Sequence, residues 1–108
     1  MNISFLKTNK GLIIKDLIII EPNIIQDDRG FFMESWNQKK FDEVVGENII
    51  FSQDNHSRSI YGVLRGLHYQ LNPFPQGKLV RCSMGSIFDV AVDIRKDSST
   101  YGSWGGIK

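Results

Sequence analysis

The sequence predicts an all-β domain, a sandwich or small barrel such as a jelly roll, with one short helix. Runs of isoleucine, valine and aromatic residues recur at strand length, and glycine or proline stands between most of them. Only one segment has the apolar spacing of a helix. The chain has 108 residues, of which 41% are hydrophobic, so we expect a single globular domain over residues 1–108.

The first half of the chain is predicted to begin with isoleucine-rich strands. Residues 11–20 give one or two strands, which Pro22 and Asn23 end. The run DDRG at 27–30 is a turn signal, and residues 31–36 follow it as a short strand.

Residues 37–45 are the only good helix candidate. Asn37 can cap the N-terminus, because its side chain accepts a hydrogen bond from a free backbone N–H of the first turn. Gly46 suits the position just past the C-terminus, which favours a left-handed conformation. Between these signals, a phenylalanine and two valines form an apolar stripe at helical spacing.

The second half of the chain is predicted to be β throughout. A loop with two prolines and a glycine interrupts it at 72–77, and a Met-Gly-Ser connection suits a hairpin at 84–86. The predicted strands are 48–55, 62–70, 78–83 and 87–94, with a further strand beginning within 103–108. Such a sheet has unpaired edges, which are a liability unless another chain covers them.

Charge and cysteine content exclude several classes of protein. With 13 basic and 12 acidic residues the net charge is +1, so the whole chain has no signature of nucleic-acid or membrane binding. The isoleucine-rich N-terminus is broken by charges and lacks a signal-peptide core, so we expect a soluble cytoplasmic protein. Cys82 is the only cysteine, which fits a reducing compartment, and such a thiol is more often a small core residue than a nucleophile.

Arg65 and His68 are unusual residues for the middle of a strand, where burial without a partner is costly. In the stretch GVLRGLHYQ they are three positions apart, so a regular strand would point them to opposite faces. A β-bulge at Gly66 would bring both onto one face. The alternative is that Gly66 makes room for a bulky neighbour and His68 is a hydrogen-bonded core histidine.

Polar side chains on the neighbouring predicted strands favour a ligand cavity. Gln53 and Asn55 alternate, Lys78 opens the following strand, and Asp89 and Asp93 alternate on the last one. The excess of cations between positions 53 and 82 is either a solvated face or part of such a site. The members of that excess are Arg58, Arg65, Lys78 and Arg81 against Asp54.

These groups favour proton transfer or phosphate binding. A histidine titrates near neutrality and is a plausible general base, and Arg65 and Lys78 suit phosphates or an enolate oxygen. No nucleophilic triad, P-loop or dinucleotide fingerprint is present. With His56 and His68 as the only histidines and no paired-histidine motif, a metal site is not expected.

Five segments carry a resemblance to a known family. They are DDRGFFMES at 27–35, FSQDNHSRS at 51–59, GVLRGLHYQ at 62–70, QGKLVR at 76–81 and FDVAVDIRKDSSTYGSW at 88–104. In these segments the chain resembles the N-terminal part of the dTDP-4-dehydrorhamnose 3,5-epimerase family. The resemblance implies a cupin-type jelly roll that works as a homodimer without metal or cofactor. It also implies the substrate dTDP-4-dehydro-6-deoxy-D-glucose, epimerised at C3 and C5 through an enolate.

The resemblance also implies roles for individual residues. His68 matches the general base, and Lys78 matches the cation beside the enolate oxygen and is both catalytic and substrate-binding. Arg65 matches a cation near the sugar and diphosphate. The remaining matches are substrate-binding residues: Arg29, Phe32 and Glu34 at the nucleotide, partly from across the dimer, and the pocket amides Gln53 and Asn55.

Members of the family continue well beyond Lys108. The resemblance implies that this further part supplies a tyrosine acid, a carboxylate that orients the base, and several strands. Two hypotheses therefore remain. The chain is an epimerase, with single-site epimerases and ketoisomerases as close relatives, or it is a non-catalytic partial cupin that binds nucleotide sugar or only dimerises.

Overall fold

The computed structural model describes all 108 residues and is mostly strand with one short helix. The strands pair as three antiparallel two-stranded sheets, β1–β2, β3–β4 and β5–β6. The elements are β1 (Asn2–Lys7), β2 (Ile13–Glu21), β3 (Ile24–Asp27), β4 (Gly30–Met33), α1 (Gln38–Val45), β5 (Asp89–Val92) and β6 (Trp104–Ile107). The prediction of a strand-rich chain with one helix is confirmed.

Contacts between residues divide the chain into two compact units. Residues 1–50 and 86–108 form one, here called the sheet unit, and residues 51–85 form the other, here called the 51–85 unit. All seven helices and strands belong to the sheet unit. Whether the chain acts as a single domain stays a prediction.

The sheet unit begins with the β1–β2 pair, whose register changes part-way along. Asn2 to Phe5 face Glu21 to Ile18 in order, but Lys7 faces Ile13, so β2 carries extra residues there. Asp16 lies in that stretch with φ at +70°, a conformation that residues other than glycine seldom adopt.

Helix α1 has the bounds and caps that the sequence predicts. The Asn37 side chain accepts a hydrogen bond from the backbone N–H of Lys40 at 3.1 Å. Gly46 is left-handed, and its N–H donates to the carbonyl of Asp42 at 2.8 Å. Phe41 is buried, with its ring centroid 4.9 Å from that of Trp36.

Strand β6 lies close to β1 at Gly105, which has no side chain. A Cβ added to Gly105 would lie 3.1 Å from the Lys7 carbonyl oxygen, so a larger residue would push the strands apart. The N–H of Asn9 donates to the carbonyl of Trp104 at 2.9 Å and joins the same elements. The apolar core is small, since Ile14 and Phe41 are the only buried hydrophobic residues.

The 51–85 unit contains neither helix nor strand. The predicted strands 48–55, 62–70 and 78–83 are therefore wrong for this chain, and 87–94 is shortened to β5. A strand forms only where a neighbour takes up its backbone N–H and C=O groups. The unit has two backbone–backbone hydrogen bonds, Val63 N–H to Ile60 at 3.4 Å and Phe74 N–H to Leu71 at 3.0 Å.

The predicted bulge at Gly66 is also wrong, because there is no ladder for it to interrupt. Gly66 instead has φ at +109°. Glycine adopts this backbone conformation readily because it has no Cβ, whereas other residues rarely do. Cys82 is exposed rather than in a core, and its thiol donates to the Met84 carbonyl at 3.3 Å. The one helix, α1, is too short and polar to cross a membrane.

Candidate functional site

The predicted site residues fall into two groups, one in each unit. Neither group includes three or more His, Cys, Asp or Glu side chains clustered to hold a metal ion. Arg29, Phe32 and Glu34 belong to the sheet unit, at and after the β3–β4 hairpin. The other group lies in the 51–85 unit and consists of Gln53, Asn55, Arg65, His68 and Lys78.

Arg29 lies in the hairpin turn, and its only hydrogen-bond partner is Asp27. Its backbone N–H donates to Asp27 Oδ1 at 2.9 Å, and its Nη2 donates to Asp27 Oδ2 at 2.6 Å. This pairing lowers the pKa of Asp27 and raises that of Arg29. The Arg29 side chain is 90% exposed, and such pairs contribute little to stability. The guanidinium can therefore exchange this carboxylate for an anionic ligand at low cost.

Phe32 lies in β4, and Glu34 follows directly after the end of that strand. Phe32 pairs in register with Ile25, and both side chains are largely exposed. Glu34 accepts from Lys40 Nζ at 2.7 Å and from Asn37 Nδ2 at 3.1 Å, so it connects the end of β4 to the first turn of α1. The hydrogen bond from Lys40 is the larger cause of a lowered Glu34 pKa, and that from Asn37 adds to it.

In the 51–85 unit the two predicted pocket amides lie together. Gln53 Nε2 donates to Asn55 Oδ1 at 3.1 Å, which leaves the Gln53 carbonyl oxygen and the Asn55 amino group for a ligand. Arg65 makes one hydrogen bond, from Nη2 to the Arg58 carbonyl oxygen at 3.3 Å. All three side chains are exposed.

His68 and Lys78 make no side-chain hydrogen bond or ion pair in this chain. The His68 ring lies over Gly66, where an added Cβ would be 3.1 Å from Nδ1. The structure therefore places a free imidazole next to the glycine, and Arg65 is directed to the Arg58 carbonyl rather than to this ring. The alternative of a hydrogen-bonded core histidine is wrong, because His68 is exposed and unpaired.

Asp93 has a structural role that the sequence interpretation missed. Its carboxylate is buried and accepts from Arg95 Nε at 2.9 Å, from Ser98 Oγ at 2.5 Å and from Thr100 Oγ1 at 2.6 Å. The Arg95 hydrogen bond is the main cause that holds the Asp93 pKa far below its usual range. Asp93 is thus fully occupied and is not a free carboxylate for a ligand pocket.

Arg95 extends this network to the irregular part of β2. Its Nη1 donates to Asp16 Oδ2 and its Nη2 to the Lys15 carbonyl oxygen, both at 3.1 Å. An open concavity beside it is lined by Lys15, Arg95, Asp97, Ser98 and Ser99, none of which is a predicted site residue. The sequence signal for this network is an arginine two positions, a serine five positions and a threonine seven positions after Asp93.

Comparison with known proteins identifies the class and then the family. A crystal structure of dTDP-4-dehydrorhamnose 3,5-epimerase from Elizabethkingia anophelis NUHP1 matches with a TM-score of 0.81 and 48% identity, over 97% of this chain and 55% of that one. With its strand-rich architecture, the chain is accordingly of the cupin-type jelly-roll class.

The sequence profile described as dTDP-4-dehydrorhamnose 3,5-epimerase matches residues 11–108. The protein of that name from Shigella flexneri is 64% identical over 87% of this chain, and the one from Pseudomonas aeruginosa is 58% identical over 88%. The chain belongs to the dTDP-4-dehydrorhamnose 3,5-epimerase family. It spans about half the length of the curated relatives it matches.

Proposed function

We propose that this chain contributes the base and the substrate-binding groups for epimerisation of dTDP-4-dehydro-6-deoxy-D-glucose at C3 and C5. The product, dTDP-4-dehydro-L-rhamnose, belongs to dTDP-rhamnose biosynthesis. The observation that carries the proposal is the family match over residues 11–108, which includes every candidate site residue. We favour both carbons over C3 alone because relatives of 58–64% identity are named 3,5-epimerases, whereas the relative named a 3-epimerase is 40% identical.

His68 is the proposed general base. The 4-keto group acidifies the neighbouring C–H bonds, and an exposed imidazole without a hydrogen-bond partner can accept the proton. The electron pair of the broken C–H bond moves to the keto oxygen and gives an enolate. The exposed, unpaired ammonium of Lys78 is the proposed partner of that oxygen. A proton from solvent water then adds to the opposite face of the same carbon and inverts it, which leaves hydroxide to be neutralised by the protonated His68.

Exposure of the side chains supports the substrate-binding roles that the family resemblance implies. Arg29 and Arg65 are exposed guanidiniums suited to bidentate contact with phosphate oxygens. Phe32 offers an exposed ring for stacking on the nucleobase. Glu34, which the resemblance also matches to a residue at the nucleotide, lies two positions further along. The amides Gln53 and Asn55 are suited to the sugar hydroxyls.

We further propose a cytoplasmic homodimer that needs no cofactor. The β3–β4 hairpin supports the dimer, because both of its faces expose apolar side chains that a second copy can bury. These are Ile24, Ile25, Phe31 and Phe32. The single exposed cysteine supports a reducing compartment, where it stays a thiol.

A second candidate function is binding of the nucleotide sugar without turnover. One observation favours it: no carboxylate forms a hydrogen bond or ion pair with His68, so no acidic side chain orients the ring. Under this hypothesis the cations and amides hold the ligand while the enolisation step is absent.

Deuterium entry into the substrate separates the two functions. The purified chain is incubated with the 4-keto sugar nucleotide in heavy water, and deuterium at C3 and C5 is followed by NMR. The epimerase proposal predicts exchange that is lost in His68→Ala and retained in the matched control His56→Ala. Binding of dTDP without exchange would establish the second function, and the absence of both would contradict the two proposals together.

A further inference from the structure

Of the three candidate nucleotide-binding side chains, Glu34 is the one that hydrogen-bonds to a second element of the fold. Lys40 Nζ, in the first turn of α1, donates to Glu34 Oε1 at 2.7 Å. Asn37 Nδ2, at the cap of the same helix, donates to Glu34 Oε2 at 3.1 Å. Both carboxylate oxygens are therefore held from α1, whereas Arg29 pairs with Asp27 of its own hairpin.

We propose that Lys40 and Asn37 are positioning residues of the nucleotide-binding site, which hold the Glu34 carboxylate in place for the dTDP part of the substrate. The inference rests on the proposed function, since it takes Glu34 to be a group that contacts the nucleotide. Lys40 and Asn37 act through Glu34 and do not touch the ligand themselves.

The hydrogen bonds from α1 leave Glu34 able to bind a ligand. A carboxylate offers about four lone-pair positions, and Lys40 and Asn37 occupy one on each oxygen. An ionised carboxylate only accepts hydrogen bonds, so its ligand group is a donor, such as the ring N–H of thymine or a hydroxyl of the deoxyribose. A glutamate that is already ordered loses less rotamer entropy when the ligand binds.

Helix α1 is anchored well enough to fix a side chain. Asn37 has two roles at once, because its Oδ1 accepts from the backbone N–H of Lys40 while its Nδ2 reaches Glu34. Gln38 Nε2 donates to the Ile49 carbonyl oxygen at 2.8 Å and ties the first turn of the helix to the chain that follows it. The donors to Glu34 therefore sit on a fixed element.

The Lys40–Glu34 pair is poorly placed to serve stability alone. The two side chains are 54% and 43% exposed, and ion pairs between exposed groups contribute little to the free energy of unfolding. We therefore expect Lys40→Met to leave the midpoint of thermal unfolding nearly unchanged. An effect on nucleotide affinity without an effect on stability separates positioning from a structural role.

The test measures dTDP binding to the chain by isothermal titration calorimetry. Lys40→Met is expected to weaken binding by about tenfold, and Lys40→Arg, which keeps a donor and the charge, should recover most of the loss. Lys39→Met is the matched control, because Lys39 is an exposed lysine of the same turn and forms no salt bridge. Both methionine variants remove one positive charge, so long-range attraction of the diphosphate changes equally.

A double-mutant cycle shows whether Lys40 acts through Glu34. In the Glu34→Ala background, Lys40→Met should cause no further loss of dTDP affinity, because the carboxylate that it positions is gone. A further loss as large as that in the wild type would mean that Lys40 contacts the nucleotide directly, and would overturn the proposal.

The contact itself is measured without ligand, by carbon-13 NMR titration of the Glu34 carboxyl. The hydrogen bond from Lys40 is the largest cause of the lowered Glu34 pKa; Asn37 and, at longer range, the amino group of Met1 act in the same direction. Lys40→Met should therefore raise the Glu34 pKa, whereas Lys39→Met should not. A Glu34 pKa that is equal in both variants would overturn the proposal.

Failure of the inference differs from failure of the proposed function. If the wild-type chain binds dTDP and Lys40→Met binds it as well as Lys39→Met does, the positioning role is wrong and the proposed function stands. If the wild-type chain does not bind dTDP, the proposed function is wrong and the positioning role falls with it.

Discussion

The Asp93 network and the 51–85 unit differ in how completely their polar groups are satisfied. Around Asp93, one buried carboxylate accepts from an arginine, a serine and a threonine, and the arginine continues to β2. In the 51–85 unit the backbone is almost wholly unpaired and the side chains are exposed. The first region is fully hydrogen-bonded within this chain, whereas the second, which carries the proposed base, has few internal hydrogen bonds.

Stability should therefore depend strongly on the first region. Asp93→Ala is expected to lower the free energy of unfolding of the sheet unit by about 3 kcal/mol or more, because it leaves buried donors without an acceptor. Urea unfolding followed by far-UV circular dichroism measures this. Asp89→Ala is the control, since Asp89 is an exposed residue at the start of β5. An equal loss in both variants would show that the network adds no stability.

The free energy of unfolding of the sheet unit should fall at acidic pH. The Asp93 pKa is lowered in the folded state, so its contribution is complete above the unfolded value of about 3.9 and is lost as the pH falls through the folded value. Unfolding of the sheet unit is expected to become easier below about pH 4. Asp93→Asn should flatten this dependence. A wild-type stability that stays constant from pH 5 to strongly acidic conditions would contradict the assignment.

The cap of α1 should have an effect of intermediate size. Asn37→Ala removes the acceptor for Lys40 N–H and also one donor to Glu34, and is expected to cost about 1 kcal/mol. Asn37→Ser restores a capping oxygen and should recover most of that loss. The measurement is the midpoint of thermal unfolding. If Asn37→Ser does not recover the lost stability, the Asn37 side chain does not stabilise the protein by capping the helix.

Truncation of an exposed leucine in the second region should have the smallest effect. Leu64→Ala is expected to change the unfolding free energy by no more than about 0.5 kcal/mol, because the side chain has little buried surface to lose. Urea unfolding measures this in the same way as for Asp93→Ala. A loss as large as that of Asp93→Ala would mean that Leu64 is buried rather than exposed.

Local signals predicted the parts of the fold that depend on nearby residues. Helix α1 and its two caps follow from Asn37, Gly46 and an apolar stripe, all within ten residues. The DDRG turn and the strand after it were predicted, whereas β3 before the turn was not. Strand β1 was missed although its N-I-S-F alternation is a strand signal.

The remaining predictions depended on partners that local sequence does not specify. Residues 62–70 have strand-forming side chains, but a strand also needs a neighbouring ladder, and this chain supplies none there. Asp93 appeared to share a face with Asp89, yet a network set by Arg95 and Thr100 occupies it. The family resemblance located the candidate site residues; their roles stay proposals because the structure brings only Gln53 and Asn55 into side-chain contact.

Amide hydrogen exchange of the isolated chain tests the central comparison most directly. The account predicts that amides in β2, β5 and β6 are protected, while those of 51–85 exchange at close to the rate of an unstructured peptide. Protection in 51–85 equal to that in β2 would contradict it, because the region would then have its own ladder within this chain.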